Sequence, residues 1–178
     1  MPHIEIQSIP PTQVHLLSNF QSVYQTEFVW QMERMMEDGK TSITFNQVRL
    51  PRAIEATYQG LAEKVLEGFL PSTVLVAFIS EQPVAFIAIE EKEVPGSAWI
   101  TDLVVTGAYR RQGIASALIL AAQDWAVKRN LRRIVIELQS KNFPAIQLCM
   151  KLGYEFCGFH DHYYANLDIA LFFARFLH

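Results

Sequence analysis

The stretch from Trp99 to Ser116 contains residue types suited to binding an anion. An apolar strand is predicted to end near Val105. A polar bridge with Arg110 and Arg111 follows, and a helical pattern begins at Gly113. The first N–H groups of a helix have no intrahelical partner, and the helix dipole adds positive charge there, so the stretch predicts a phosphate site. The alternative is a plain strand-to-helix turn that needs its glycine for steric reasons only.

Composition, charge and the spacing of cysteine and histidine argue against several classes of protein. The chain has 178 residues, 51% of them hydrophobic, and a net charge of −3, which argues against a nucleic-acid partner. No apolar run is long enough for a membrane span. Cys149 and Cys157 lack zinc-site spacing and predict reduced thiols in a cytoplasmic protein. His160, Asp161 and His162 are consecutive on an extended segment and cannot converge, so no metal site is predicted.

The first part of the chain predicts a strand and several helices. Residues 3–9 alternate polar and apolar side chains and precede two prolines, which predicts a strand. Apolar residues recur at helical spacing over 14–24 and again over 29–36. Residues 42–50 predict a strand or an extended arm, and residues 53–69 predict a helix.

A regular series of strands follows. Residues 72–79, 84–90 and 98–105 predict three neighbouring antiparallel strands joined by short turns. Residues 114–128 predict a helix, and residues 133–139 predict the next strand. A helical connection of this kind makes the strands that it joins parallel neighbours.

The last part of the chain predicts one helix and two strands. A short helix begins after Asn142, tolerates Pro144 in its first turn and ends at Gly153. Residues 154–159 and 169–176 predict strands. The last strand is almost entirely apolar, which predicts either a central place in the sheet or pairing across a homodimer.

Two motifs separated by an apolar strand carry a family resemblance. They are Val105-x4-Arg110-x2-Gly113-x-Ala115 and Asn142-x2-Ala145-x2-Leu148-x2-Lys151-x-Gly153-Tyr154. With the order of the elements over residues 72–160, they resemble the GNAT superfamily of acetyl-CoA-dependent N-acetyltransferases. The segment from Asp161 to Tyr164, with the apolar stretch after it, resembles the streptothricin acetyltransferase branch.

The resemblance implies an α/β (α+β) fold. It consists of a mixed, mostly antiparallel sheet of six to seven strands, helices on both faces, and a parallel pair splayed at the coenzyme A site. We expect one N-acetyltransferase domain over residues 1–178. Acceptor-side helices and an extra strand would come from 1–70, the acetyl-CoA-binding core from 72–160 and a C-terminal strand from 161–178.

The resemblance also implies a co-substrate, acetyl-CoA, and no metal. The pyrophosphate would lie on N–H groups of the loop and helix start, as the anion argument also predicts. The strand end would offer main-chain groups to the pantetheine arm and one N–H to the thioester oxygen. Asn142 would contact the coenzyme A arm, or it is a structural helix cap. The predicted binding residues are Leu103, Val104, Val105, Arg110, Arg111, Gln112, Gly113, Ile114, Ala115, Ser116 and Asn142.

Four residues are catalytic candidates. Glu137 would deprotonate the amine through water, as a glutamate does in some branches, or it is an ordinary strand residue. Asp102 would bind a cationic amine or make a structural hydrogen bond. Cys149 stands where the family usually has a tyrosine that protonates the thiolate, and it is otherwise a small buried side chain. Tyr163 or Tyr164 would then supply the acid, or the thiolate leaves unassisted.

These features predict an acyltransferase. It would transfer the acetyl group of acetyl-CoA, by direct attack on the thioester, to the primary amine of a small cationic molecule. A protein N-terminus or lysine is the alternative acceptor. A coenzyme A-binding sensor or regulatory domain that lost catalysis at Cys149 is the alternative function.

Overall fold

The computed structural model of the protein describes residues 4–58, 60–92 and 96–177. Within them the chain forms nine strands, three α-helices and two short 3-10 helices. The strands are β1 (Glu5–Ile9), β2 (Val23–Glu37), β3 (Lys40–Thr57), β4 (Thr73–Ile79), β5 (Gln82–Lys92), β6 (Ser97–Val105), β7 (Arg133–Gln139), β8 (Glu155–His160) and β9 (Ala170–Phe176). The α-helices are α1 (Leu61–Leu66), α2 (Ile114–Lys128) and α3 (Phe143–Lys151), and the 3-10 helices are Pro11–Leu17 and Gly107–Tyr109. His3, which begins the predicted first strand, lies outside the described residues.

Seven strands form one mixed sheet in the order β1-β4-β5-β6-β7-β9-β8. β6 and β7 are parallel, whereas the other neighbouring pairs are antiparallel. α2 joins the parallel pair, because strands that run the same way need a long crossover. The predicted fold class, strand number and parallel pair are therefore confirmed. The apolar last strand, β9, is central, between β7 and β8.

Apolar clusters cover both faces of this sheet. α2 and α3 pack on one face, where Ile114, Leu118 and Ile146 are buried against β4 to β7. The first 3-10 helix and α1 cover the other face through Val14 and Leu61. These faces are called the α2/α3 face and the α1 face below. Each strand in the middle of the sheet is apolar on both sides because both sides are covered.

β2 and β3 form a separate hairpin that the sequence analysis did not predict. The helix predicted over residues 29–36 is wrong. Of the helix predicted over 14–24, only residues 14–17 are helical, as the end of the 3-10 helix Pro11–Leu17, and the one over 53–69 shrinks to the six residues of α1. The predicted strand over 42–50 is confirmed, but it is part of a longer strand. The helical spacing in this region is coincidental, since Met36, one of the residues that created it, is 76% exposed.

Two sequence features do indicate the hairpin. Tyr24, Phe28 and Trp30 follow the period of two that suits a strand. Asp38 and Gly39 form the link between β2 and β3, and Gly39 has a positive φ of 71°. An Asp-Gly pair between two strands is favoured in tight hairpin turns because glycine adopts positive φ without strain.

Aromatic packing holds the hairpin against the end of β7. The N–H of Trp30 donates to the carbonyl of Ser140 at 2.9 Å. The Trp30 ring lies 5.6 Å from the ring of Phe173 and 6.1 Å from that of Phe156, measured between centroids. Aromatic pairs at such separations add stability beyond the area they bury. The hairpin is therefore fixed beside the carboxyl end of β7.

Replacing Trp30 with alanine should destabilise the protein by about 3 kcal/mol, because it removes an aromatic side chain from several ring contacts. Urea denaturation measures the change in the free energy of unfolding. Met36→Ala, on the exposed end of the same strand, is the matched control and should stay within about 0.5 kcal/mol of the parent. Equal effects of the two substitutions would contradict the packing described.

Candidate active site

The parallel strands β6 and β7 pair over only part of their length. Their register joins Ser97–Ile100 to Arg133–Ile136 and ends there. Beyond this point β6 continues on β5 alone, and β7 continues on β9 alone. The predicted splay is therefore present. A cavity of about 70 Å³ lies where the two strands separate.

A β-bulge in β6 decides which side chains enter the cavity. Ala88 pairs with Asp102 and Ile89 pairs with Ile100, so Thr101 is an extra residue. Without a bulge, Ile100 and Asp102 would lie on the same face, since side chains alternate along a strand. Ile100 instead packs in the α2/α3 core, whereas Asp102 faces the α1 side of the sheet.

Residues from both faces line the cavity. On the α2/α3 face they are Ile119, Ala145, Leu148 and Cys149. Lys64 and Asp102 approach from the α1 face. Tyr58, Glu137 and Tyr164 also line it. The cavity thus brings Asp102, Glu137 and Cys149, three of the four predicted catalytic residues, to one place.

Asp102 is a buried carboxylate with one charged partner. The Lys64 ammonium lies 3.0 Å from its Oδ2 atom, and the side chain has no solvent exposure. Its other oxygen, Oδ1, has no hydrogen-bond partner among the described residues. Burial raises the pKa of Asp102 to about 6, although the nearby Lys64 lowers it and Glu137 raises it further. A buried carboxylate with a free acceptor atom is able to receive an amine donor.

Glu137 is held by a tyrosine. The Tyr163 hydroxyl donates to its Oε2 atom at 3.0 Å. Burial raises the pKa of Glu137, and the Tyr163 hydrogen bond lowers it in part. Burial and the Glu137 charge raise the pKa of Tyr163 to about 12. Tyr163 is 44% exposed and does not line the cavity, whereas its neighbour Tyr164 does.

Cys149 lies on the other side of the sheet, in α3. It is 2% exposed and packs in the core of the α2/α3 face. Burial raises the pKa of its thiol to about 12, so the thiolate is not populated near neutral pH. Of the three predicted acids, Cys149 and Tyr164 line the cavity, whereas Tyr163 does not.

The start of α2 has the features of an anion site. Gly113 precedes the helix with a φ of 84°, and no side chain caps the N-terminus. The first intrahelical bond runs from the N–H of Ala117 to the carbonyl of Gly113 at 3.0 Å, leaving the N–H groups of Ile114, Ala115 and Ser116 without intrahelical partners. A Cβ added at Gly113 would meet no atom within 4 Å, so the surface above it is open.

The two arginines of the predicted anion site have different surroundings. Arg110 donates through Nε to the carbonyl of Val105 at 3.0 Å and through Nη2 to that of Val23 at 2.7 Å. Arg110 therefore connects the end of β6 to the start of β2. The sequence did not predict this role, because it did not predict the hairpin that contains β2. Arg111 has a positive φ of 63° and is exposed. Gln112 donates to the carbonyl of Ala108 at 3.1 Å and steadies the loop between them.

The remaining predicted binding groups lie along the splay. Leu103 and Val104 pair with β5 on one side only, so β6 presents an unpaired edge toward β7. The Tyr58 hydroxyl donates to the Leu103 carbonyl at 3.5 Å. Asn142 lines the cavity and caps α3, accepting from the N–H of Ala145 at 3.2 Å. Its predicted capping role is therefore confirmed, and its coenzyme contact stays a prediction.

Tyr58 and Lys64 are cavity residues that the sequence analysis missed. Both fall in the segment predicted as one continuous helix over residues 53–69. The signal that separates them is Gly60, since glycine is unfavourable inside a helix and suits its start. In the structure Gly60 immediately precedes α1, and Tyr58 lies in extended chain before it.

The described residues also bear on metal binding and on membrane crossing. No group of three or more His, Cys, Asp or Glu side chains in them is arranged to hold a metal ion. No helix in the same part of the chain has the length and apolar character needed to cross a membrane.

The family model for the acetyltransferase (GNAT) family matches residues 27–154. The chain therefore belongs to this family. The resemblance found in the sequence motifs is confirmed.

Curated relatives of this chain include streptothricin acetyltransferases, the branch that the sequence resembles. The chain is 34% identical over 87 residues to the streptothricin acetyltransferase of Escherichia coli, a match covering 46% of this chain and 47% of that relative. The chain thus spans about half the length of the curated relatives it matches.

Two solved structures share the fold over almost the whole chain. A nourseothricin acetyltransferase superposes with a TM-score of 0.81 at 16% identity, covering 98% of this chain and 99% of its own. A putative streptothricin acetyltransferase from Bacillus anthracis str. Ames, solved with acetyl coenzyme A, gives 0.76 at 19% identity, covering 98% and 100%. At these identities the likeness shows the fold alone.

The raised pKa of Asp102 predicts a specific pH dependence of stability. The folded chain binds this proton more tightly than the unfolded chain, so stability from this group is greatest near pH 4 and is lost as pH rises through about 6. Asp102→Asn removes that loss. Its free energy of unfolding, relative to the parent, should rise by about 2 to 3 kcal/mol between pH 4 and pH 7 in urea denaturation.

Asp124→Asn, on the exposed side of α2, is the control for this measurement. Its difference from the parent should not change with pH. If the Asp102→Asn difference were equally constant, the buried carboxylate would not have the raised pKa described.

Proposed function

We propose that the protein transfers the acetyl group of acetyl-CoA to the primary amine of a small cationic molecule. The observation that carries this proposal is the cavity at the splay between β6 and β7. It is lined by apolar side chains and Cys149 on the α2/α3 face, and two carboxylates face it from the strands themselves. Such a cavity admits a thioester from one side of the sheet and an amine from the other.

The start of α2 and the edge of β6 would bind the coenzyme. The N–H groups of Ile114, Ala115 and Ser116 suit a pyrophosphate, and Arg111 adds charge beside them. The edge from Leu103 to Val105 has no strand neighbour on the side of β7. It suits the amide groups of a pantetheine arm through the backbone groups that Tyr58 and Arg110 do not already engage. Acetyl-CoA supplies the activated acetyl thioester.

The carboxylates would bind the acceptor and remove its proton. Oδ1 of Asp102 is free to accept a hydrogen bond from an amine. Glu137 has a raised pKa, which brings it closer to the range where a general base works at neutral pH. The rings of Tyr58 and Tyr164 supply faces that attract a cation. The names of the streptothricin relatives support a small amine acceptor.

The departing thiolate has no strong acid beside it. Cys149 lies on the correct face, but burial raises its pKa to about 12, which makes it a poor proton donor. Tyr164 also lines the cavity, and burial and the charge of Glu137 raise its pKa, so it too is a poor proton donor. We therefore propose that the thiolate leaves without a protein acid. This observation also favours the second candidate function, a coenzyme A-binding domain without turnover.

Release of free thiol from acetyl-CoA in the presence of a panel of small amines tests the proposal, with peptides carrying a free N-terminus as the second class of acceptor. Thiol release that depends on a small amine is the expected result. If calorimetry showed that coenzyme A binds but no amine caused release of free thiol, the proposed acetyltransferase activity would be contradicted. The second candidate function, a coenzyme A-binding domain without turnover, would then be supported.

Gly113→Glu should weaken coenzyme A binding at least about tenfold, because it puts a negative charge at the phosphate site. Calorimetry measures the affinity. Gly39→Glu is the matched control, since Gly39 also has a positive φ and open space around it but lies at the hairpin turn. It carries the same backbone strain and should bind normally. Equal loss in both variants would contradict the site.

Glu137→Gln should lower kcat about a hundredfold while leaving coenzyme affinity unchanged, since it removes the proton acceptor and keeps the shape. The pH profile of kcat should also lose its acidic limb. Glu155→Gln, an exposed glutamate in β8, is the control and should keep full activity. An active Glu137→Gln enzyme with an unchanged pH profile would exclude Glu137 as the base.

A further inference from the structure

A lysine of the chain itself lies beside the buried carboxylate of the cavity. Lys64 is the one basic side chain among the residues that line this cavity. Its Nζ atom lies 3.0 Å from Oδ2 of Asp102 and 3.3 Å from the carbonyl of Thr101. The side chain is 20% exposed. A primary amine on an alkyl chain therefore already lies on Oδ2 of the carboxylate whose other oxygen, Oδ1, the proposed function gives to the acceptor.

We infer that Lys64 is an internal acceptor, and that the protein acetylates this residue when acetyl-CoA is bound and no external amine is present. The inference rests on the proposed function, because the acetyl group must reach the same cavity. It assigns a modification site to α1, outside the sequence motifs.

Lys64 lines the same cavity as the residues that would lie beside the thioester. The space of about 70 Å³ is shared by Lys64, Leu103 and Cys149. An acetyl group that entered along Leu103 would share this cavity with the Lys64 side chain. Holding two reacting groups together in this way replaces a bimolecular encounter by an intramolecular step.

The chemistry balances with groups already in the site. Asp102 takes one proton from the Lys64 ammonium and leaves a neutral amine. The Nζ lone pair forms a bond to the thioester carbonyl carbon, and the carbon–sulfur bond breaks. The nitrogen loses a second proton as the amide forms, and the coenzyme A thiolate takes up one proton. The products are acetyl-Lys64, free coenzyme A thiol and one proton released to water.

Incubation of the full chain with isotopically labelled acetyl-CoA, followed by peptide mass spectrometry, tests the inference. Lys64 should acquire the label about a hundredfold faster than the exposed lysines Lys40 and Lys128, the lower end of what a positioned proton acceptor supplies. Lys64→Arg keeps the positive charge and should abolish label at this position. Asp102→Asn should lower labelling of Lys64 about a hundredfold.

The same preparations are tested for amine-dependent thiol release, which separates the two proposals. Thiol release without label on Lys64 overturns the inference and leaves the proposed function standing. Label on Lys64 without amine-dependent release supports the inference and removes the small-amine acceptor. Labelling of Lys64 at the rate of surface lysines, or at an unchanged rate in Gly113→Glu, is chemical acetylation in solution and overturns the inference.

Discussion

The end of hydrogen bonding between β6 and β7, at Ile100 and Ile136, is the constraint on which the rest of the site depends. Backbone groups beyond that point lose a strand neighbour and need other partners. Because the two strands are parallel, α2 must connect them, and its N-terminus lies just after the carboxyl end of β6. An anion site and a free strand edge thus arise together from one topological feature, as they do at switch points of other open sheets.

The electrostatics of the site follow from the bulge at Thr101. It turns Asp102 to the α1 face, where the carboxylate is fully buried beside Lys64. Taking a carboxylate out of water is costly, and one ammonium compensates only part of the cost, which is why the pKa remains above its ordinary value. The fold tolerates this cost because the surrounding apolar clusters on both faces are extensive.

The sequence was most informative where local rules decide the structure. α2 begins and ends as predicted because Gly113 precedes its first residue and the basic residues Lys128 and Arg129 lie at its C-terminus. The strands before and after it are strongly apolar. The β2–β3 hairpin was not predicted because coincidental helical spacing competed with its Asp-Gly turn and its period of two. The aromatic partners that stabilise it, such as Phe173, are distant in the sequence. Tyr58 and Lys64 were missed because the one continuous helix predicted there includes Gly60, which precedes α1 in the structure, while the bulge at Thr101 leaves no mark in the local pattern.

The two-sided cavity also bears on the order of events in the proposed reaction. Coenzyme and amine would approach from opposite faces of the sheet, so neither has to leave before the other arrives. Such a layout fits a sequential scheme in which a ternary complex forms, rather than one that alternates between two half-reactions. It also lets the acetylated product depart past α1 while the spent coenzyme is still held at α2.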